Sequence, residues 1–177
     1  MRTVVVYESQ TGCTHLVAEA IGAGLSGLGE VQVVSVHDAD KTLVGGVDLI
    51  VVGGPTHVHG LTRPSTRKAA IEATYKPGSD LDPDPDAEGD GLREWFDGLG
   101  ELEAKAAAFD TRMEGPPAFT GRASKGIAKR LRRHGLDMVV APESFLVSKT
   151  THLEPGEEEH AREWGAHLAG VMAASAV

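Results

Sequence analysis

Five short runs rich in Val, Ile, Leu, Ala or Phe recur along the chain, and the segments between them place apolar residues at helical spacing. Thr3 to Tyr7 is a continuous Val-rich run, which is what a strand shows when both faces of its sheet are covered. From Cys13 to Leu28, Leu16, Val17, Ala20, Ile21, Leu25 and Leu28 recur as one helix face, and Gly27 and Gly29 punctuate its end. Val31 to Val36 and Leu49 to Val52 read as the second and third strands, with only a poorly specified helix or turn between them. Arg63 to Tyr75 reads as a helix with Pro64 in its first turn, and Ala106 to Phe109 as the fourth strand. Ser124 to His134 is a basic amphipathic helix closed by Gly135; Met138 to Val147 holds the fifth strand, interrupted near Pro142. The last helix begins near Gly156, with Glu157, Glu158 and Glu159 in its first turn. Strands alternating with helices predict an α/β fold, a parallel sheet covered on both faces.

One segment breaks the alternation. Residues 77–91 (PGSDLDPDPDAEGDG) are acidic and rich in Pro and Gly, so they read as a flexible insertion with almost nothing to bury. Leu92 to Phe96 then returns to the core as a short helix. The whole of 1–177 reads as a single domain with this insertion at about 77–91.

The net charge of −9 argues against nucleic acid as a partner, because phosphate binding needs a basic surface. The same charge allows a basic protein partner. With only 5% aromatics, the core is built mainly from aliphatic side chains. A single cysteine, Cys13, excludes an internal disulfide, and no apolar run approaches a membrane span. These features predict a cytoplasmic protein with no membrane contact.

The chemistry concentrates after the strands. Glu8-Ser9-Gln10-Thr11-Gly12-Cys13-Thr14 joins the first strand to the first helix, placing hydroxyls and a Gly where free helix N–H groups bind an anion. Simple helix capping by Ser or Thr is the competing reading. No G-x-x-x-x-G-K-[ST] is present, which excludes a P-loop nucleotidase. Gly22 to Gly27 matches G-x-G-x-x-G, but it lies within and at the end of the first helix, where no dinucleotide reaches its amides.

The run Ser9 to Thr14 (SQTGCT) resembles the phosphate loop of the flavodoxin family, T/S-x-T-G-x-T, in the place that family uses. By this resemblance Ser9, Thr11, Gly12 and Thr14 hold the phosphate of FMN, while Gln10 and Cys13 contribute backbone amides. A second match follows the third strand, in Gly53-Gly54-Pro55-Thr56-His57-Val58-His59-Gly60. Flavodoxins place such a loop beside one face of the flavin ring, which implicates Pro55, Thr56, His57, Val58, His59 and Gly60. Asp110, Thr111, Arg112 and Met113, after the fourth strand, occupy the place of the loop that meets the other ring face. The resemblance implies a three-layer flavodoxin-like sandwich with a five-stranded parallel sheet in the order 2-1-3-4-5. It further implies an electron carrier working between a reductase and an acceptor enzyme.

Flavodoxins usually stack a Trp and a Tyr on the ring; the first loop here offers His57 and His59, and the second no Tyr. The lost aromatics predict a less negative reduction potential. They also keep two other functions open: an FMN-dependent NAD(P)H:quinone-type reductase, and a module of this fold that has lost FMN. A metal pair at His57 and His59 is a weaker reading, with no third ligand type nearby. The basic residues Arg122, Lys125, Lys129, Arg130, Arg132, Arg133 and His134 read either as a solvated face or as a contact for a partner or for NADPH phosphates.

Overall fold

The computed structural model describes residues 1–175; Ala176 and Val177, the end of the expected domain, lie outside the described residues. The elements follow in the order β1 (Arg2–Tyr7), α1 (Cys13–Leu25), a single 3-10 turn (Ser26–Leu28), β2 (Glu30–Ser35), α2 (Lys41–Val44), β3 (Leu49–His57) and β4 (Gly60–Leu61). After them come α3 (Pro64–Thr74), α4 (Leu92–Leu99), β5 (Lys105–Met113), α5 (Pro117–Thr120), α6 (Ala123–Arg133), β6 (Asp137–Met138), β7 (Glu143–Val147) and α7 (Glu157–Ser175).

The sheet runs β2-β1-β3-β5, and β6 and β7 then share the edge position beside β5. These pairings are all parallel, with Val4 between Gln32 and Ile50, and Ile50 beside Ala106. This is the expected order, with the fifth strand split into β6 and β7. The split spans Val139 to Pro142, where proline cannot donate to the ladder. Arg122 braces the gap, donating from Nε to Ser144 Oγ at 3.0 Å and from Nη2 to the Pro142 carbonyl at 2.7 Å.

Strand alternation divides the core between the two faces. Val4, Val6, Ile50, Val52, Ala106 and Ala108 pack against Leu92, Phe96, Ile127 and Leu131 of α4 and α6. Val5, Tyr7, Leu49, Val51, Ala107 and Phe109 pack against Val17, Ile21, Trp164 and Leu168 of α1 and α7. Leu16, expected on the buried face of α1, is instead 52% exposed, because one position before Val17 turns it off the sheet.

The glycines at the end of α1 have a packing role. A Cβ on Gly24 would overlap the Arg162 carbonyl, and one on Gly165 would overlap the Ile21 carbonyl, so α1 and α7 meet backbone to backbone. The G-x-G-x-x-G match therefore marks a helix crossing rather than a dinucleotide loop. The weak second helix is the four-residue α2, capped by the Asp40 carboxylate accepting from Leu43 N at 2.8 Å.

The acidic segment buries more than its composition suggests. Asp84 and Ala87 are both buried, and the Asp84 N–H donates to the Gln10 carbonyl at 2.8 Å. Asp86 accepts from Tyr7 Oη at 3.1 Å, and its backbone carbonyl lies 3.1 Å from His37 Nε2. The polar groups of this stretch find partners on the carboxyl edge of the sheet, which composition cannot reveal.

Candidate functional site

The turn after β1 forms a cradle that faces the cleft. Gly12 adopts φ 89°, a left-handed conformation open to glycine, and donates its N–H to Ser9 Oγ at 3.1 Å. Gly12 is also the cap of α1, whose first-turn N–H groups precede the earliest acceptor in the helix and whose first turn holds no acid. The charge and direction of this helix start suit an anion. The Thr14 and Thr111 hydroxyls lie 2.8 Å apart, fastening the cradle to β5. Cys13 donates its thiol to the Thr151 carbonyl at 3.1 Å, and burial pushes that thiol up.

β3 runs on past the sheet into a tight hairpin with β4, where Thr56 pairs with Leu61 and His57 with Gly60. Val58 and His59 form its two-residue tip with φ 46° and 68°, the signs of a type I′ turn. His59 makes a backbone bridge to Gly121, while His57 turns toward the cavity. Burial pushes the His57 imidazole below its ordinary value, and the Glu8 carboxylate only partly offsets this.

The stretch after Phe109 is not a loop, as expected, but the continuation of β5 to Met113, paired through Pro55↔Thr111 and Met113↔Val147. Asp110 is fully buried, and its carboxylate accepts from Ser124 N at 2.6 Å at the start of α6. It serves that helix end and does not line the cavity. Arg112 Nη1 donates to the Gly115 carbonyl at 2.8 Å and to Thr120 Oγ1 at 3.2 Å, shaping the turn beyond the strand.

These pieces enclose a cleft of about 360 Å³. Ser9, Gln10, Thr11, Cys13 and Thr14 line one end; Pro55, Thr56, His57 and Val58 form one side, and Thr111, Arg112 and Met113 the other. Gly12, His59, Gly60 and Asp110 are not among the lining residues; they shape the backbone around it. Sequence reasoning missed Ala70 and Ala73 of α3, Leu81 of the acidic segment, Val147 and Thr151, which also line the cleft. No local motif marks these small and apolar residues.

A buried polar network supports the cradle. The Glu8 carboxylate accepts from Gln10 Nε2 at 3.0 Å, from Thr62 Oγ1 and from Leu92 N at 2.8 Å. It thereby caps α4 from a distant part of the chain. Arg67, also buried, reaches Glu94 at 3.2 Å from Nη2 and Thr62 Oγ1 at 3.4 Å from Nη1. Burial pushes the Glu94 carboxyl up, but backbone N–H groups at Gly91 and Glu94, with Arg67, hold it below the usual carboxylate value. On the cradle's outer side, Asp84 lies 3.2 Å from His15 Nδ1, and His15 stacks on Tyr7 with ring centroids 4.4 Å apart.

The family model for flavodoxin matches residues 5–164, spanning the cradle, the hairpin and the β5 edge. The chain belongs to the flavodoxin family. No curated protein matches it. Among solved structures, a flavodoxin from the domain Archaea is 20% identical with a TM-score of 0.63, over 97% of this chain and 99% of that one. Oxidised Flavodoxin 1 from Bacillus cereus is 18% identical with a TM-score of 0.65, over 96% and 98%. A WrbA-like flavodoxin from Agrobacterium tumefaciens is 20% identical with a TM-score of 0.57, over 97% and 96%. At these identities the likeness is one of fold. His57, Val58 and Met113 border the cleft, and no Phe, Tyr or Trp lines it among the described residues.

Proposed function

We propose that this flavodoxin binds FMN in the cleft and passes electrons between a reductase and an acceptor protein. The observation that carries this reading is one continuous site. An anion cradle at the start of α1 opens directly into a slot with largely apolar walls, of a volume suited to a cofactor. Charge-assisted hydrogen bonds contribute about 1.5–3 kcal/mol each, so several N–H groups and the Thr11 hydroxyl are enough for a phosphate without Lys or Arg. Ser9, Gln10, Thr11, Cys13 and Thr14 would hold the phosphate end, with Gly12 shaping the turn between them. Pro55 to Val58 and Thr111 to Met113 would hold the ring. Bound flavin supplies the one- and two-electron chemistry, and the protein supplies position and electrostatics.

A fluorescence titration comparing FMN with riboflavin tests the reading. Saturable quenching with a strong preference for FMN is expected; no binding of FMN would overturn it. A second reading, an FMN-dependent quinone-type reductase, is favoured by a cleft whose lining, Val58 and Met113 included, contains no Phe, Tyr or Trp among the described residues. Steady turnover of NADPH with a quinone would favour that reading over the carrier.

A further inference from the structure

The chain is acidic overall, yet α6 has five cationic residues and no acidic residue between Ala123 and Arg133. Lys125, Lys129, Arg132 and Arg133 fall at i, i+4, i+7 and i+8, and all four are exposed. Among the described residues, none of them makes an ion pair. Arg130 folds back over Gly126, with Nη1 3.4 Å from that carbonyl. Burial lowers its affinity for a proton, the neighbouring Arg93 and Arg133 lower it further, and the Asp97 carboxylate partly offsets this. Arg93 is pinned by Nε to the Thr62 carbonyl at 2.7 Å and by Nη2 to the Leu61 carbonyl at 3.0 Å. Arg93 and Arg130 thus both lie beside Leu61 of the hairpin.

The patch adjoins apolar surface at the mouth of the cleft. The His59–Gly121 bridge brings the hairpin tip beside α5, and Val58 and Phe119 are 83% and 77% exposed. Lys125 to Arg133 spans about 12 Å along the helix, wider than a single phosphate group. Apolar surface continuous with a charged stripe is a combination that protein interfaces use.

We propose that α6 and the 57–62 hairpin form a docking face for an acidic protein, its carboxylates on Lys125, Lys129, Arg132 and Arg133 and an apolar group on Val58 and Phe119. The negative charge of the rest of the molecule orients such a partner onto this one face. Docking stands independently of the cofactor; electron exchange across the face rests on the FMN reading.

The test titrates the protein, with and without FMN, against an acidic [2Fe–2S] ferredoxin and a basic cytochrome c, using calorimetry and amide chemical shifts. Saturable ferredoxin binding is expected at about 20 mM salt, weakening by at least tenfold at about 200 mM. Amide shifts should fall on α6 and residues 57–62. The variant Lys129→Glu/Arg132→Glu/Arg133→Glu should lose about tenfold in affinity or more. Lys68→Glu/Arg162→Glu, cations placed elsewhere, should bind as the parent does. Absent ferredoxin binding, an indifferent α6 variant, or shifts on another face would each overturn the proposal. So would tighter binding of cytochrome c at α6, or loss of NADPH binding alone in the α6 variant. Failure of the FMN reading shows separately, as ferredoxin docking without FMN uptake.

Discussion

Val58 carries a β-branched side chain at φ 46°, a conformation that costs an L-residue roughly 1–2 kcal/mol. Asn tolerates the left-handed region and is favoured in type I′ turns. Val58→Asn is therefore expected to stabilise the unliganded protein by about 1 kcal/mol, or roughly 2–4 °C in Tm. Calorimetric melts of the two proteins check this, and an unchanged or lower Tm would contradict it. His57 has a different signature. Its folded-state pKa lies below the ordinary 6.5, so below about that pH the unfolded chain binds a proton that the native chain does not. Its contribution to stability is thus present at pH 7 and above and declines as pH falls below about 6.5. The loss levels off once the folded-state pKa is passed. Urea unfolding at a series of pH values should show a shallower decline in His57→Gln than in the parent.

At the scale of elements, the α1–α7 crossing and the Glu8 network decide how the site is held. Gly165→Ala would drive a methyl group into the Ile21 carbonyl, and neither backbone can retreat without moving a helix. A loss of about 1–3 kcal/mol or more is expected by denaturant unfolding. Gly170→Ala, with open space around its Cβ, should leave stability unchanged or slightly raised. Glu8 joins the cradle to α4 and the hairpin through buried hydrogen bonds. Glu8→Ala leaves the Leu92 and Gln10 donors unsatisfied, at about 1–3 kcal/mol for each buried group. FMN affinity should fall with it, because the cradle and the hairpin lose their common anchor. A variant with native FMN affinity would show that the cradle stands alone.

For the whole molecule, the missing aromatics bear on redox behaviour. An aromatic stacked on the flavin disfavours the reduced anion, and the residues at this cleft are His57, Val58, Arg112 and Met113. Arg112, whose Nη1 is engaged by the 113–120 turn, brings a fixed positive charge to the same wall. On the proposed reading, both features would favour the reduced form of a bound flavin. Dye-coupled reductive titration should therefore place the FMN potential above the usual low flavodoxin value, and a value at that low level would refute the expectation.

The alternation of strands with helices and the strand-to-helix turn after β1 were legible along the chain, because both arise from local patterns, whereas the strand order followed from the resemblance to flavodoxins. Val-rich runs report burial on two faces, and Ser9 to Thr14 form a strand-to-helix turn whose N–H groups need no distant partner to point outward. The limits of β5 were not legible. Asp110 to Met113 contain polar residues that composition assigns to a loop, and only the neighbouring Pro55 and Val147 supply the pairing that keeps them in the sheet. Nor did Val58-His59 announce a hairpin, since its type I′ tip lacks the usual Asn or Gly. The acidic segment looked unable to bury anything until Tyr7, His15 and His37 met it from the sheet edge. Local hydrophobic period and turn chemistry are properties of neighbours in sequence. The partners of Glu8, Asp84 and Asp110, and the α3 wall of the cleft, depend on residues brought together only by folding.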